Sequence, residues 1–242
     1  MNKNLLNLPN LLTSINLVCG VLAIINVVTS ANVQLVAILI FTSLVCDFLD
    51  GFVARALKIN SLIGKELDSL ADVVTFGVFP AVLMCKLIGE STSASFAWNF
   101  ESYLPYVGLI IAAFSALRLA KFNLDERQSD CFYGLATPAN TIFVLSFWLV
   151  KSYHPTSALA TFLQNTYLLI GLTLILSYLL ISEVKLIAFK FKDFSWEKNK
   201  YRFMIMAVSV VLIAILGVLG IPFAMIAYIG ISVLQNILEP KN

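Results

Sequence analysis

The sequence predicts an all-α fold, a polytopic bundle of about eight membrane-spanning helices. Three observations carry that expectation. Of the 242 residues, 60% are hydrophobic and only 12% are charged, whereas a soluble domain carries about 25% charged residues. The apolar residues gather into runs long enough to cross a bilayer. The few cations sort onto alternate connections between those runs. The same numbers exclude other classes. A soluble globule of this size lacks the polar residues to face water, and disorder needs low hydrophobicity with high charge. No nucleic-acid partner is expected, because 16 Lys and Arg against 14 Asp and Glu leave a net charge of +2 and no dense basic face.

A crossing helix needs ~20 mostly apolar residues, and reading along the chain places eight such spans roughly at 8–29, 33–57, 66–88, 104–121, 138–153, 162–183, 203–218 and 221–238. The first has an apolar run too long for a signal peptide and lacks a small-residue cleavage site, so it is expected to be retained. No charge falls between Phe203 and Leu238. Gly217, Gly220 and Pro222 divide that stretch into a C-terminal helical hairpin over 203–238. The whole of 1–242 is expected to form one transmembrane domain. Cationic connections stay on the cytoplasmic side. With the N-terminus inside, Lys3, Arg55, Lys58, Lys65, Arg118, Lys121, Arg127, Lys241 and six cations between Lys185 and Arg202 fall inside. Only Lys86 and Lys151 fall outside. Both termini are therefore expected in the cytoplasm.

The four cysteines (Cys19, Cys46, Cys85, Cys131) form no C-x-x-C pair, and His154 is the one histidine. Zinc chemistry and a Ser-His-Asp triad are hard to build from these residues. Trp98, Trp148 and Trp196 lie near span edges, where interfacial Trp is expected. The basic and aromatic stretch from Lys190 to Lys198 reads either as an amphipathic segment on the inner leaflet or as an ordinary positive-inside connection.

The unexpected residues are acids. Asp47 and Asp50 lie at the inner end of the second span, and Asp68 and Asp72 at that of the third. A carboxylate at the centre of a span costs about 2.5–3.5 kcal/mol on insertion scales, so such residues are functional candidates by default. The first pair is spaced i, i+3 and the second i, i+4, so each shares one helix face. Gly51 and Ala54 continue the first face, and Gly64 and Thr75 the second. Small residues there permit close approach of a helix or a ligand. Four carboxylates in a partly dry site need cations, and an all-oxygen donor set suits Mg²⁺ or Mn²⁺, with Ca²⁺ also possible chemically. Two ions ~3.5–4 Å apart are the arrangement used in phosphoryl transfer.

The run Asp47-Phe-Leu-Asp50-Gly51-Phe-Val-Ala54-Arg55, followed after eight residues by Gly64-Lys-Glu-Leu-Asp68-Ser-Leu-Ala-Asp72, resembles the motif of the CDP-alcohol phosphatidyltransferases, D-x2-D-G-x2-A-R-x8-G-x3-D-x3-D. Every defined position matches with its spacing intact. The resemblance implies an integral membrane enzyme with a six-helix core. Such an enzyme moves a phosphatidyl group from a CDP-linked lipid to an alcohol and releases CMP. It implies that Asp47, Asp50, Asp68 and Asp72 bind two divalent metal ions and that Asp72 is the general base. It further implies that Asn10, Thr13, Gly51, Ala54, Arg55 and Gly64 bind the CDP-lipid, and that the enzyme is a homodimer.

The resemblance narrows to the membrane-embedded, serine-accepting branch through four stretches. These are Leu8-Pro9-Asn10-Leu-Leu-Thr13, Asp68-Ser69-Leu70-Ala71-Asp72-Val-Val-Thr75-Phe76-Gly77, Arg118-Leu-Ala-Lys121-Phe-Asn123 and Gly134-Leu-Ala-Thr137-Pro138-Ala-Asn140. Ala136 departs from that branch, which often has proline there. The implied substrates are CDP-diacylglycerol and L-serine. Arg118 offers a bidentate fork to a carboxylate and Asn123 can accept or donate, so both are assigned to the acceptor. Asn10, Thr13 and Asn16 recur every three residues as a polar strip that faces either the site or a neighbouring helix. Two rival readings stand beside this one. A family member with another acceptor, glycerol 3-phosphate or an inositol phosphate, would need an extra basic cluster. A cation transporter would show internal repeats or broken helices at the midplane.

Overall fold

The computed structural model describes residues 7–59, 62–91, 101–124, 131–188 and 195–238. In chain order these form α1 (Leu8–Thr29), α2 (Val33–Ala56) and α3 (Leu62–Asp72), which runs through a π-helical turn (Val73–Val78) into α4 (Phe79–Gly89). A 3-10 stretch (Glu101–Leu109) leads into α5 (Ile110–Leu124), followed by strand β1 (Cys131–Tyr133), α6 (Thr137–Tyr153), the short α7 (Ala158–Phe162) and α8 (Thr166–Ile181). Strand β2 (Lys185–Ile187), α9 (Trp196–Leu216), a 3-10 turn (Gly217–Leu219) and α10 (Gly220–Leu238) complete the order.

Five helical stretches are long and apolar enough to cross a membrane: Leu8–Thr29, Val33–Ala56, Leu62–Gly89, Tyr103–Leu124 and Asn199–Leu238, the last folded double. α6 and α8, at 17 and 16 residues, are shorter than the ~20 of a full crossing. The eight expected spans all correspond to helical stretches, and the chain is an all-α polytopic membrane protein. Its outer faces are apolar, with Val28, Ile38, Phe41, Phe48, Tyr178 and Ile215 exposed, as suits acyl chains in place of water.

Helix ends follow local chemistry. The side chains of Asn7, Asn32, Ser157 and Asn165 each accept a backbone N–H at the start of α1, α2, α7 and α8, satisfying an otherwise orphaned donor. α2 ends with Lys58 at φ +55 and Ile59 N–H donating to Ala54 O, the 6→1 closure of a left-handed helix stop. This turns the chain back within a few residues toward α3.

The central element is the α3–π–α4 rod, which is far more buried than α1 or α2. Phe76, Phe79, Leu83, Met84 and Leu87 are its largest fully buried side chains. Phe79, Leu83, Met84 and Leu87 share one buried cluster with Ile111 of α5, Val144 of α6 and Leu169, Leu176 and Leu180 of α8. The strongest packing of α2 is on α1, and α1 also packs along α3, the π turn and α4.

Several expectations are corrected. The third span was expected at 66–88 as one regular helix. It starts at Leu62 and carries the π turn, whose wider winding no hydrophobic pattern encodes. The helix of the seventh expected span, α9, starts at Trp196, not at 203, so Lys200 and Arg202 ride on its first turns. Trp148 is buried in the core, 4% exposed, rather than interfacial. Trp196 is exposed, and Trp98 lies outside the described residues. An antiparallel ribbon pairs Phe132 with Leu186. It was invisible beforehand because three-residue strands carry too little pattern. Tyr228 Oη donates to Ile187 O (3.2 Å) and Asn236 Nδ2 to Lys185 O (2.6 Å), pinning α10 to this ribbon.

Candidate active site

The site forms where α1, α2 and α3 converge. The buried face of α1 reads Asn10, Thr13, Asn16, Gly20, Ala23 and Val27, one helical stripe. Its polar half faces the acids and its apolar half the core. Thr13 Oγ1 donates to Asp50 Oδ2 (2.5 Å) and Asn16 Nδ2 to Asp72 Oδ1 (3.3 Å). The Asn16 carbonyl oxygen accepts from Ser43 Oγ of α2 and Thr75 Oγ1 of the π turn, both at 3.2 Å. One residue of α1 thus ties both acid-bearing elements together. At Gly20 the approach is so close that an added Cβ would lie 2.2 Å from Thr75 Oγ1, so only glycine fits.

Carboxylate oxygens of Asp47, Asp50 and Asp68 come within 4.8 Å of one another. Ionised groups at that separation repel strongly in a partly dry site. Asp50 is buried, and Asp47 and Asp68 are half-buried. Asp68 Oδ1 is buried with no protein hydrogen-bond partner. A converging all-oxygen donor set with an unpartnered inward oxygen fits a hard divalent cation. Asp72, 9% exposed, stands outside this trio but within electrostatic range of all three acids. Its carboxylate is oriented by Asn16.

Beside the trio lies a cavity of about 420 Å³. Asn10, Thr13, Asp50, Gly51, Ala54, Gly64 and Asp68 line it, together with Pro9, Ile59, Leu62 and Lys65. Five of the six residues expected to hold the CDP-lipid are therefore on one wall system. The sixth, Arg55, is exposed and folds over Gly51, where an added Cβ would meet its Nη1 at 3.3 Å. Glycine at 51 and alanine at 54 keep that wall open. Lys65 was not anticipated as a lining residue, although it follows Gly64 directly in the motif and is the cavity's cation.

Arg118 and Asn123 on α5 are separate in environment. Arg118 is buried, 7% exposed, with Nε unpartnered. It stacks 5.6 Å from the Phe122 ring centroid and lies within electrostatic range of Asp72 and Tyr228. Asn123 sits at the C-terminal end of α5, where its Nδ2 donates to Ser69 Oγ (2.8 Å) and its carbonyl accepts from Lys65 Nζ (3.3 Å). It therefore braces α3 beside Asp68. Lys121 pairs with Glu183.

Comparison with known proteins gives the family. The family model described as CDP-alcohol phosphatidyltransferase matches residues 6–181, from the start of α1 to the end of α8. A CDP-diacylglycerol–serine O-phosphatidyltransferase of Bacillus subtilis is 35% identical over 76% of this chain and 91% of its own length. Enzymes of the same name from Helicobacter pylori strain J99 and Methanocaldococcus jannaschii are 31% and 34% identical, over 92% and 91% of this chain and 89% and 87% of theirs.

Proposed function

The chain belongs to the CDP-alcohol phosphatidyltransferase family, and from that premise we propose that it transfers the phosphatidyl group of CDP-diacylglycerol to L-serine, giving phosphatidylserine and CMP. The observation that carries the reaction class is the convergence of three carboxylates on a cavity beside a fourth, Asp72. The acceptor rests on the serine-using names of relatives that align along most of the chain.

In this reading Asp47, Asp50, Asp68 and Asp72 hold two divalent ions, Mg²⁺ or Mn²⁺. Bound there, the metals neutralise diphosphate charge and stabilise the charge that develops in displacement. The chain's own groups do the rest. Asn10, Thr13, Gly51, Ala54, Arg55 and Gly64 bind the CDP moiety while its acyl chains remain in the bilayer. Arg118 pairs with the serine carboxylate, and Asn123 closes the cytoplasmic side of the acceptor pocket. Asp72, held by Asn16, takes the hydroxyl proton. The serine oxygen then bonds to the phosphorus bearing diacylglycerol as the bond from that phosphorus to the CMP oxygen breaks, and the proton passes from Asp72 to solvent. Positioning of the two substrates supplies much of the barrier reduction.

The site opens to the cytoplasm, with both termini on that side, and the enzyme works as a homodimer. All of 1–242 acts as one domain, the 203–238 hairpin included. Purified protein offered CDP-diacylglycerol with labelled serine, glycerol 3-phosphate or inositol phosphate tests the assignment. Label is expected in lipid from serine alone, with stoichiometric CMP. Incorporation of another acceptor in place of serine overturns it.

A further inference from the structure

Outside the acid trio, the unpartnered buried polar atoms of the described residues concentrate around the π turn. On α6, the Thr137 hydroxyl and both ends of the Asn140 carboxamide lack hydrogen-bond partners, and both residues are fully buried. On α5, Ser115 Oγ and Arg118 Nε are in the same condition. Leaving a buried polar group unpaired costs about 1–3 kcal/mol each, so several in one place call for an occupant.

These groups share a neighbourhood. Thr141 Oγ1, one turn along α6 from Thr137, donates to Phe76 O in the π turn (3.2 Å). On the other side of the turn, Gly77 is so close to α5 that an added Cβ would stand 3.0 Å from Ser115 Cβ. Arg118 lies one turn further along α5, in range of Asp72 and of Tyr228, and α10, which carries Tyr228, packs on α6. The start of α6 is itself uncapped by any side chain, with Ala136 at the cap position. Its first turn therefore presents the positive end of a 17-residue helix next to the orphaned Thr137 hydroxyl.

We propose that Thr137 and Asn140 complete, with Arg118, the pocket that recognises the amino and carboxylate groups of an amino-acid acceptor. The chemistry is complementary. A carboxamide offers a donor to a carboxylate and an acceptor to an ammonium at once, as a zwitterion requires. The helix start and Arg118 supply positive charge for the carboxylate. An acceptor seated there has its hydroxyl toward Asp72. Beyond the residues named for serine above, this assigns specificity to α6, and it rests on the serine reading.

The test uses the full-length enzyme in nanodiscs, with Asn140→Leu and Thr137→Val, both close in volume to the native residues. Removing an unpaired buried polar group without changing its shape should leave thermal stability unchanged or raised. The expected result is a serine KM raised by about tenfold or more, the equivalent of one lost charge-assisted hydrogen bond, with the CDP-diacylglycerol KM within about twofold of wild type. An unchanged serine KM, or a lowered Tm with both KM values shifted together, overturns the pocket. The wild-type acceptor panel separates the two readings. If wild type takes another acceptor, the serine assignment fails. The zwitterion pocket fails with it, whereas serine turnover with an unchanged serine KM in Asn140→Leu overturns the α6 pocket alone.

Discussion

Asp72 and Gly20 show how single positions divide the work. Asp72 stands outside the trio of Asp47, Asp50 and Asp68, and Asn16 orients it. Asp72→Asn keeps the shape and removes the base. CMP release should fall below detection while the variant still inserts and elutes from detergent gel filtration like wild type; near-normal turnover would refute the base assignment. Asn16→Leu removes the donor that orients Asp72. It should lower kcat far more than either KM, since both substrate walls are left intact. Gly20 is structural. Any side chain there drives into Thr75, whose hydroxyl holds the carbonyl of Asn16. Gly20→Val should destabilise by about 1–3 kcal/mol, as overpacking does, read as a fall in Tm of the purified protein.

Among the elements, the π turn sets the register of the central rod. Upstream it carries Asp68 and Asp72, and downstream the core residues Phe79, Leu83 and Leu87. Inserting one alanine between Val73 and Val74, with the turn otherwise kept, would rotate one half against the other by about 100°, the angle per residue of an α-helix. Either the acids or the core must then leave register. The expected outcome is loss of activity together with a lowered Tm, and a fully active insertion variant would show the register of the rod to be incidental. The acidic spacing and the face of each pair were legible in the sequence because i, i+3 and i, i+4 positions share a helical side regardless of partners. The π turn was not legible. Its cause is tertiary, namely the contacts that Thr141 makes with Phe76 O and Thr75 with Asn16 O across three elements. Asn123 belongs in the same account, since its hydrogen bond to Ser69, next to Asp68, is set by the fold and not by any local pattern.

At the scale of the molecule, cation placement and site position combine into one expectation. The acid cluster lies in the last turns of α2 and the second half of α3, on the side of Arg55, Lys58 and Lys65, while Lys86, Glu90 and Lys151 form an ion-paired group at the far end of the rod. In a variant lacking the native cysteines, a cysteine at Leu57 should react with an impermeant thiol reagent only from the cytoplasmic side, and one at Glu90 only from the opposite side. The reverse pattern would invert the topology. Excess EDTA should abolish CMP release, and Mg²⁺ or Mn²⁺ should restore it. Activity that persists under chelation would sink the metal assignment.

Composition and the order of residues alone determined the membrane class, the helical stretches, the acid quartet and the family resemblance. These depend on local periodicity and on the side chains a bilayer tolerates, and both can be read along one dimension. Which helix joins the two acid pairs was decided only in three dimensions. α1 does so, through Thr13 and Asn16, because both pairs find their closest complement on its polar stripe. The same holds for the orphaned groups of α5 and α6 around the π turn. They lie between 43 and 72 positions from Asp68 and Asp72 of α3 in sequence order, and burial without partners is a property that only packing can confer.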